Sequence, residues 1–270
     1  MLCKMENGAD YGEVLKEAQD LGYAEADPTA DVEGHDVRAK ICLLAKLAYG
    51  VTVDPDQVPC QGISSITSID FEYAKLLGCT IKLIGTAKRL AQNTEYDGPI
   101  CVFVAPTMVS LTDSLASIRS SGNAVAVTSQ NMGTCLYCGP GAGRFPTANS
   151  IVADIYRVAR QQAPPEPFPP VVSTTSTPLE IDPNFTSPFY IRIPFQDEIG
   201  IIQRIGALAT LHQISIYSIQ QNPIVDRMAA DFVLITEEAE HAAVEKFCAD
   251  LQEETFCRAP PLAMPLLKKL

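Results

Sequence analysis

Hydrophobic positions recur at helical spacing early in the chain and then switch to alternation. Val14, Leu15 and Ala18 mark a short amphipathic helix over 11–20, and Val37, Ile41, Leu43, Leu44, Leu47 and Ala48 fall on one arc of a helix over 37–48 at about 100° per residue. A third helix is expected around 68–77, with Ile69, Tyr73 and Leu76 on one side and Gly78 as its stop. Alternation then predicts strands over 80–87, 99–105, 123–128 and 133–138, and a helix follows from about Thr147 to Arg160. This first region, residues 1–160, reads as a mixed sheet covered by helices.

Residues 161–186 are rich in proline, serine and threonine and read as an extended linker. Beyond them the periodicity restarts. Phe189 to Phe195 predicts a strand, Asp197 to Gly200 a turn, and Ile201 to His212 a helix with Ile202, Ile205, Leu208 and Ala209 inward. Strands over 214–220 and 229–236, a helix over 238–251 and a last short strand over 255–258 complete a βαββαβ unit, residues 187–262. The expected class is therefore α/β (α+β), the mixed sheet being followed by a small ferredoxin-like layer. Small domains of this kind carry regulation or dimerisation more often than chemistry, an association at fold level only.

The 270 residues suffice for one large or two medium domains. With 32 Asp and Glu against 20 Lys and Arg the net charge is −12, and no basic tract interrupts it, so nucleic acid is not an expected partner. The nine cysteines are irregularly spaced and odd in number, which fits small apolar residues in a reducing compartment. The N-terminus has no apolar leader core and no run reaches the ~18 apolar residues of a membrane helix. Cytoplasm is the expected location, with no membrane partner.

Charge changes the picture most at one place. Glu25, Asp27, Asp31, Glu33 and Asp36 crowd ahead of Lys40, and Pro28 and Gly34 break the run into a structured loop. Asp36 is a good N-cap for the helix that follows. Lys40 lies inside that helix's apolar arc, whereas Arg38 and Lys46 lie outside it. A lysine beside carboxylates and apolar surface can be tuned in either direction, which suits a proton-transfer group. It can equally snorkel and pair with Asp36 one turn earlier for a few tenths of a kcal/mol, and spacing leaves both readings open.

Other candidates are weaker. Cys135 and Cys138 have the spacing of half a metal site, but no second pair exists and positions i and i+3 of a strand face opposite sides, so no metal is expected. Gly139, Gly141 and Gly143 form a strand-to-helix turn that lacks the Gly-x-Gly-x-x-Gly spacing of a dinucleotide fingerprint. Close backbone approach to a ligand bound elsewhere and a plain tight turn both account for those glycines. His35, His212 and His241 have no metal-ligand partner nearby and read as surface residues.

Gly22 through Lys40, then Gly62-Ile63-Ser64-Ser65-Ile66 with Asp70, Gly78 and Ile81-Lys82-Leu83, then Gly139 through Gly143 with Pro146-Thr147-Ala148 and Asp154, resemble homoserine dehydrogenase over residues 1–160. Residues 187–260 resemble an ACT domain, as in the monofunctional homoserine dehydrogenases under threonine feedback. The resemblance implies NAD(P)-dependent interconversion of L-homoserine and L-aspartate 4-semialdehyde. Lys40 would be the proton donor, Glu25, Asp31 and Asp36 would serve substrate binding and the ordering of Lys40, and Gly139 would lie on the nicotinamide side of NADP or NAD. Threonine is the implied effector, near Asp197 and Gly200, in a homodimer or higher assembly. The family's N-terminal Rossmann domain, a second active-site lysine and a Thr-Asn segment have no counterpart here, and His35 replaces a usually apolar residue. The expectation is thus a truncated or split enzyme for which hydride transfer by this chain alone is not expected. The competing expectation is a non-catalytic regulatory subunit whose ACT domain binds an amino acid.

Overall fold

The computed structural model describes residues 1–21, 25–90, 98–160, 180–223, 226–228 and 230–267. The opening helices are α1 (Leu2–Met5), α2 (Tyr11–Asp20), α3 (Thr29–Val32), α4 (His35–Tyr49) and α5 (Ser68–Leu76). A long antiparallel hairpin follows, β1 (Cys79–Arg89) with β2 (Ile100–Ser110), paired from Cys79↔Ser110 to Arg89↔Ile100. A separate hairpin, β3 (Gly122–Ser129) with β4 (Gly133–Pro140), leads into α6 (Arg144–Ala159). The C-terminal unit comprises β5 (Thr186–Ser187), β6 (Phe189–Phe195), α7 (Ile201–Leu211), β7 (Ile216–Gln221), β8 (Ala230–Thr236), β9 (Ala239–Glu240), α8 (His241–Gln252) and β10 (Leu262–Leu267).

The strands β10-β6-β8-β7 stand in the 4-1-3-2 order of a ferredoxin-like layer, and β10 also runs parallel to β2 through Leu266↔Met108 and Leu267↔Val109. One six-stranded sheet, β1-β2-β10-β6-β8-β7, therefore runs through both regions. Its closing strand is not at 255–258. That stretch is a turn with a single bridge, Phe195↔Cys257, and the strand forms after Pro260 and Pro261, where Leu262, Met264 and Leu266 bury their side chains. Pro265 is tolerated inside it although it cannot donate to the ladder.

Alternation along the strands splits the core into two faces. Phe189, Ile191, Ile193 and Phe195 of β6 pack with α7 and α8, whereas Tyr190, Val233, Ile235 and Met264 pack with α1, α2 and α5. On that second face α4 lays Ile41, Cys42 and Ala45 on Ile100, Val102 and Val104 of the hairpin. Of the expected linker, residues 161–179 lie outside the described residues. Its end is packed structure: Ile100 N donates to Glu180 O at 2.8 Å, and Phe185 is buried with its ring stacked on Phe103 at 3.8 Å. Among the described residues no helix is long and apolar enough to cross a membrane.

Because β10 joins the two regions, Met264→Ala should loosen both. A fully buried methionine replaced by alanine costs about 2–5 kcal/mol. In urea, the buried Cys79 of the first region and Cys248 of the second, whose thiol burial pushes up to about 12, should become reactive to a thiol reagent together. Cys248 reacting at clearly lower urea than Cys79 would mean that the C-terminal unit unfolds by itself.

Candidate active site

The acidic stretch folds as a tight double turn around α3. Asp27 Oδ1 accepts from Thr29 N at 3.1 Å and Thr29 Oγ1 at 2.5 Å, starting α3, and these bonds hold the Asp27 carboxyl below its usual range. At the other end Gly34 (φ +78°) turns the chain straight into α4. A Cβ there would be strained by that φ and would also press on Val104 Cγ1 at 3.2 Å and Cys60 Sγ at 3.3 Å. Gly34, not Asp36, is thus the N-cap residue, and Asp36 sits inside the first turn of α4, where a carboxylate suits the helix dipole.

Lys40 does not point into the core. The hairpin beneath α4 covers only a narrow strip, Ile41, Cys42 and Ala45, with Val37 and Leu44 partly buried. Leu43 and Leu47, each 56% exposed, share the outer stripe with Lys40 at helical spacing. The Lys40 ammonium pairs with Asp36 Oδ2 at 2.6 Å, the side chains being 53% and 47% exposed. Such an i,i+4 pair stabilises by roughly 0.3–0.5 kcal/mol, so it orients Lys40 without locking it.

The fold brings the four predicted residues together. The Asp31 carboxyl titrates above its ordinary range because of partial burial first, then the charges of Asp36 and Glu25, with Lys40 opposing. Glu25, Asp31 and Asp36 thus surround the end of α4 with negative charge, and Lys40 supplies the ammonium among them. Gln19 of α2 donates its Nε2 to Glu25 O at 3.1 Å and Ala26 O at 3.3 Å, tying the loop to the preceding helix. Gly22, Tyr23 and Ala24 of the motif lie outside the described residues. Chemically, such a cluster can seat a substrate ammonium and hold a proton donor beside it.

A second segment backs this turn. Ile63 N donates to Val32 O at 2.8 Å, and a Cβ on Gly62 would lie 2.5 Å from Val32 O and 2.6 Å from Glu33 Cα, so glycine permits the contact. Behind it Asp70 is fully buried: Oδ2 accepts from Thr67 N at 2.8 Å in a capping box, and Oδ1 accepts from Tyr190 Oη and Arg192 Nε, both at 2.8 Å. Burial works against the charge of Arg192, but the Asp70 carboxylate outweighs it and raises the guanidinium's pKa. Burial and the same carboxylate push the Tyr190 phenol up. Asp70 lies in the Gly62 to Asp70 motif, whereas Tyr190 and Arg192 read in sequence only as alternate positions of a strand.

The remaining candidates are scattered. Gly139 lies in β4, opposite Asn123, and a Cβ there would meet nothing within 4 Å. Cys135 and Cys138 share that strand, and no cluster of three metal-binding side chains occurs among the described residues. Asp197 and Gly200 line a cavity of about 180 Å³ with Phe195, Glu198, Ile201 and Gln221, and Gly200 is the N-cap residue of α7. Two histidines are not on the surface. His212 Nε2 bonds Asp250 Oδ2 at 2.7 Å, and His241 stacks on Phe185 at 4.9 Å, where burial holds its pKa down. His212 closes α7 against Asp250 and Phe247 of α8, and His241 opens α8.

Residues 1–156 match the family model described as homoserine dehydrogenase, which includes the whole acidic turn and its backing segment. The chain belongs to the homoserine dehydrogenase family. It is 37% identical over 248 residues to the curated homoserine dehydrogenase of Neisseria gonorrhoeae, covering 89% of this chain and 54% of that protein. The Bacillus subtilis homoserine dehydrogenase is 35% identical over 261 residues, 94% of this chain and 58% of that one. A solved homoserine dehydrogenase from Thiobacillus denitrificans superposes with a TM-score of 0.83 at 32% identity, covering 98% of this chain and 60% of that chain. The chain spans a little over half the length of the relatives it matches.

The raised Asp31 pKa has a definite sign. An aspartate whose pKa the fold raises weakens folding once ionised, so its cost is absent below the ordinary carboxylate pKa and grows as pH rises through the raised one. Asp31→Asn should therefore leave stability unchanged at pH 3.5 and raise it at pH 7, by no more than about 1 kcal/mol at so exposed a site. Thermal melts across that range test this, and a variant less stable at pH 7 than at pH 3.5, relative to wild type, would contradict it.

Proposed function

We propose that this chain is the substrate-binding half of a homoserine dehydrogenase, interconverting L-homoserine and L-aspartate 4-semialdehyde in a truncated or split enzyme. The observation that carries the reading is the convergence of Glu25, Asp31 and Asp36 on Lys40. The substrate's amino group takes up the carboxylates of Glu25 and Asp31, replacing their mutual repulsion with charge-assisted hydrogen bonds. Asp36 keeps the Lys40 ammonium aimed at the substrate oxygen. In the reducing direction Lys40 gives its proton to the aldehyde oxygen as the carbonyl carbon becomes a carbinol, and in the oxidising direction it takes up the hydroxyl proton.

NADP or NAD supplies or accepts the hydride in this reading. The described residues offer that cofactor little: the turn after β4 lacks a dinucleotide fingerprint, and the bare backbone at Gly139 leaves room for a nicotinamide face without a phosphate cradle. In this reading the cofactor's binding domain belongs to the part of the relatives that this chain does not span.

The C-terminal unit is read as an ACT domain that takes L-threonine at the cavity by Asp197 and Gly200. Free backbone N–H groups at the start of α7 suit the amino acid's carboxylate, and Asp197 and Glu198 suit its ammonium. A homodimer or higher assembly fits two further features. The β3–β4 ribbon is a two-stranded sheet, marginal without a partner, and α6 exposes Phe145, Ile151, Val152, Ile155 and Tyr156.

Calorimetry with the chain should show L-homoserine binding that weakens at least ten-fold in Asp31→Asn, the loss of one charge-assisted bond worth about 1.5–3 kcal/mol. With a cofactor domain supplied in trans, homoserine-dependent NADP reduction should appear and vanish in Lys40→Ala. Threonine binding without homoserine binding, and no turnover, would instead favour a non-catalytic regulatory subunit. Threonine should bind the wild type and at least ten-fold more weakly to Asp197→Ala, and a folded chain that ignores threonine rules out the effector assignment.

A further inference from the structure

The buried cluster around Asp70 joins the two halves of the molecule at the back of the acidic turn. Arg192 belongs to β6, in the C-terminal unit, yet it donates Nε to Asp70 Oδ1 at 2.8 Å and Nη2 to Ser65 O at 3.0 Å, both in the first region. Tyr190, two residues earlier on the same face of β6, gives its hydroxyl to the same Oδ1. Ser65 is three residues from Gly62, where the chain lies against Val32 and Glu33, and Ile63 N holds Val32 O. Cys60, on the near side of this segment, donates to Glu33 O at 3.1 Å. The backbone of the turn that carries Asp31 is therefore fastened to a segment whose other end is gripped by a guanidinium from the sheet.

We infer that Arg192 is a positioning residue for the acidic turn: through Asp70 and Ser65 it holds the Gly62 to Ser65 segment in the place that Val32 and Glu33 lean on. The inference rests on reading that turn as the substrate site. A guanidinium suits the task because its planar fork satisfies the carboxylate and a carbonyl from one rigid group, which lysine cannot do. Asp70 is fully buried and the Arg192 side chain is 10% exposed, so the protein supplies most of their partners, with Asp231 Oδ1 at 3.5 Å from Arg192 Nη1 as a further one. The same strand ends at Phe195 beside the cavity of Asp197 and Gly200, three residues or roughly 10 Å from Arg192.

The test is hydrogen exchange by mass spectrometry on the full chain, comparing wild type with Arg192→Lys and Asp70→Asn. Arg192→Lys keeps a cation beside Asp70 but cannot span to Ser65 O. Residues 60–66 and 31–36 should exchange about ten-fold faster in both variants, while β7 at the far edge of the sheet keeps its wild-type rate. Tyr190→Phe, which removes one donor and no charge, should accelerate the same two segments about two- to three-fold, and it decides the matter if the other variants do not fold. Wild-type rates in both segments, or acceleration equal to that of β7, would overturn the inference. L-homoserine affinity should fall five- to ten-fold in Arg192→Lys with threonine affinity unchanged. A wild-type chain that binds no homoserine would defeat the functional reading alone, because the exchange pattern decides the positioning role.

Discussion

A carboxylate with no solvent to share its charge has to find every partner within the protein, and Asp70 does. Its four bonds come from a helix N-terminus on one side and a strand on the other, so the charge is satisfied only when α5 and β6 are docked. Buried ion pairs add little net stability over apolar packing of equal volume, yet removing one partner costs about 3–5 kcal/mol. The pair therefore acts as a specification of register more than as glue. Tyr190 and Arg192 must face α5, which sends Phe189, Ile191 and Ile193 to the opposite face and to α7 and α8. From that choice follow the placement of β10 and its splice onto β2.

The acidic turn obeys the opposite logic. Partial burial and the repulsion of neighbouring carboxylates raise the pKa of Asp31, so the turn is held in place from outside by Gly34, Gly62 and the segment behind them. A site that gathers like charge for a ligand ammonium is less stable than the same loop without it, a recurrent trade between binding and stability. Lys40 belongs to this arrangement as an outward-facing group on a helix that is firmly seated by its other face. Its neighbours Leu43 and Leu47 leave an apolar rim beside the charges, which suits the short aliphatic body of an amino acid.

Much of this was legible in the sequence because it depends on local pattern. The βαββαβ order follows from alternation and helical spacing, and the crowding of carboxylates ahead of Lys40 stands out in the sequence, whereas the roles given to Glu25, Asp31, Asp36 and Lys40 came from the family resemblance. What failed depends on tertiary context. The apolar arc of α4 looked wide enough to take in Lys40, but the hairpin beneath covers only the strip of Ile41, Cys42 and Ala45. Asp36 has the chemistry of an N-cap, yet the left-handed Gly34 moves the helix start two residues earlier. The last strand was placed too early because Thr255 to Arg258 has strand character, whereas the pairing edge of β6 is taken by residues beyond Pro261. Arg192 gave no signal of its role, since Asp70 and Ser65, its partners in the first region, lie more than a hundred residues earlier.

In the proposed function the fold delivers Lys40, held by Asp36 among carboxylates, to the oxygen of a bound amino acid. The most direct test is nuclear magnetic resonance of lysine-labelled chain, with the Lys40 side-chain signal assigned by its disappearance in Lys40→Arg. Adding L-homoserine should shift the Lys40 signal more than that of any other lysine, and adding L-threonine should leave it in place. A homoserine response spread over other lysines with Lys40 unmoved would contradict the account.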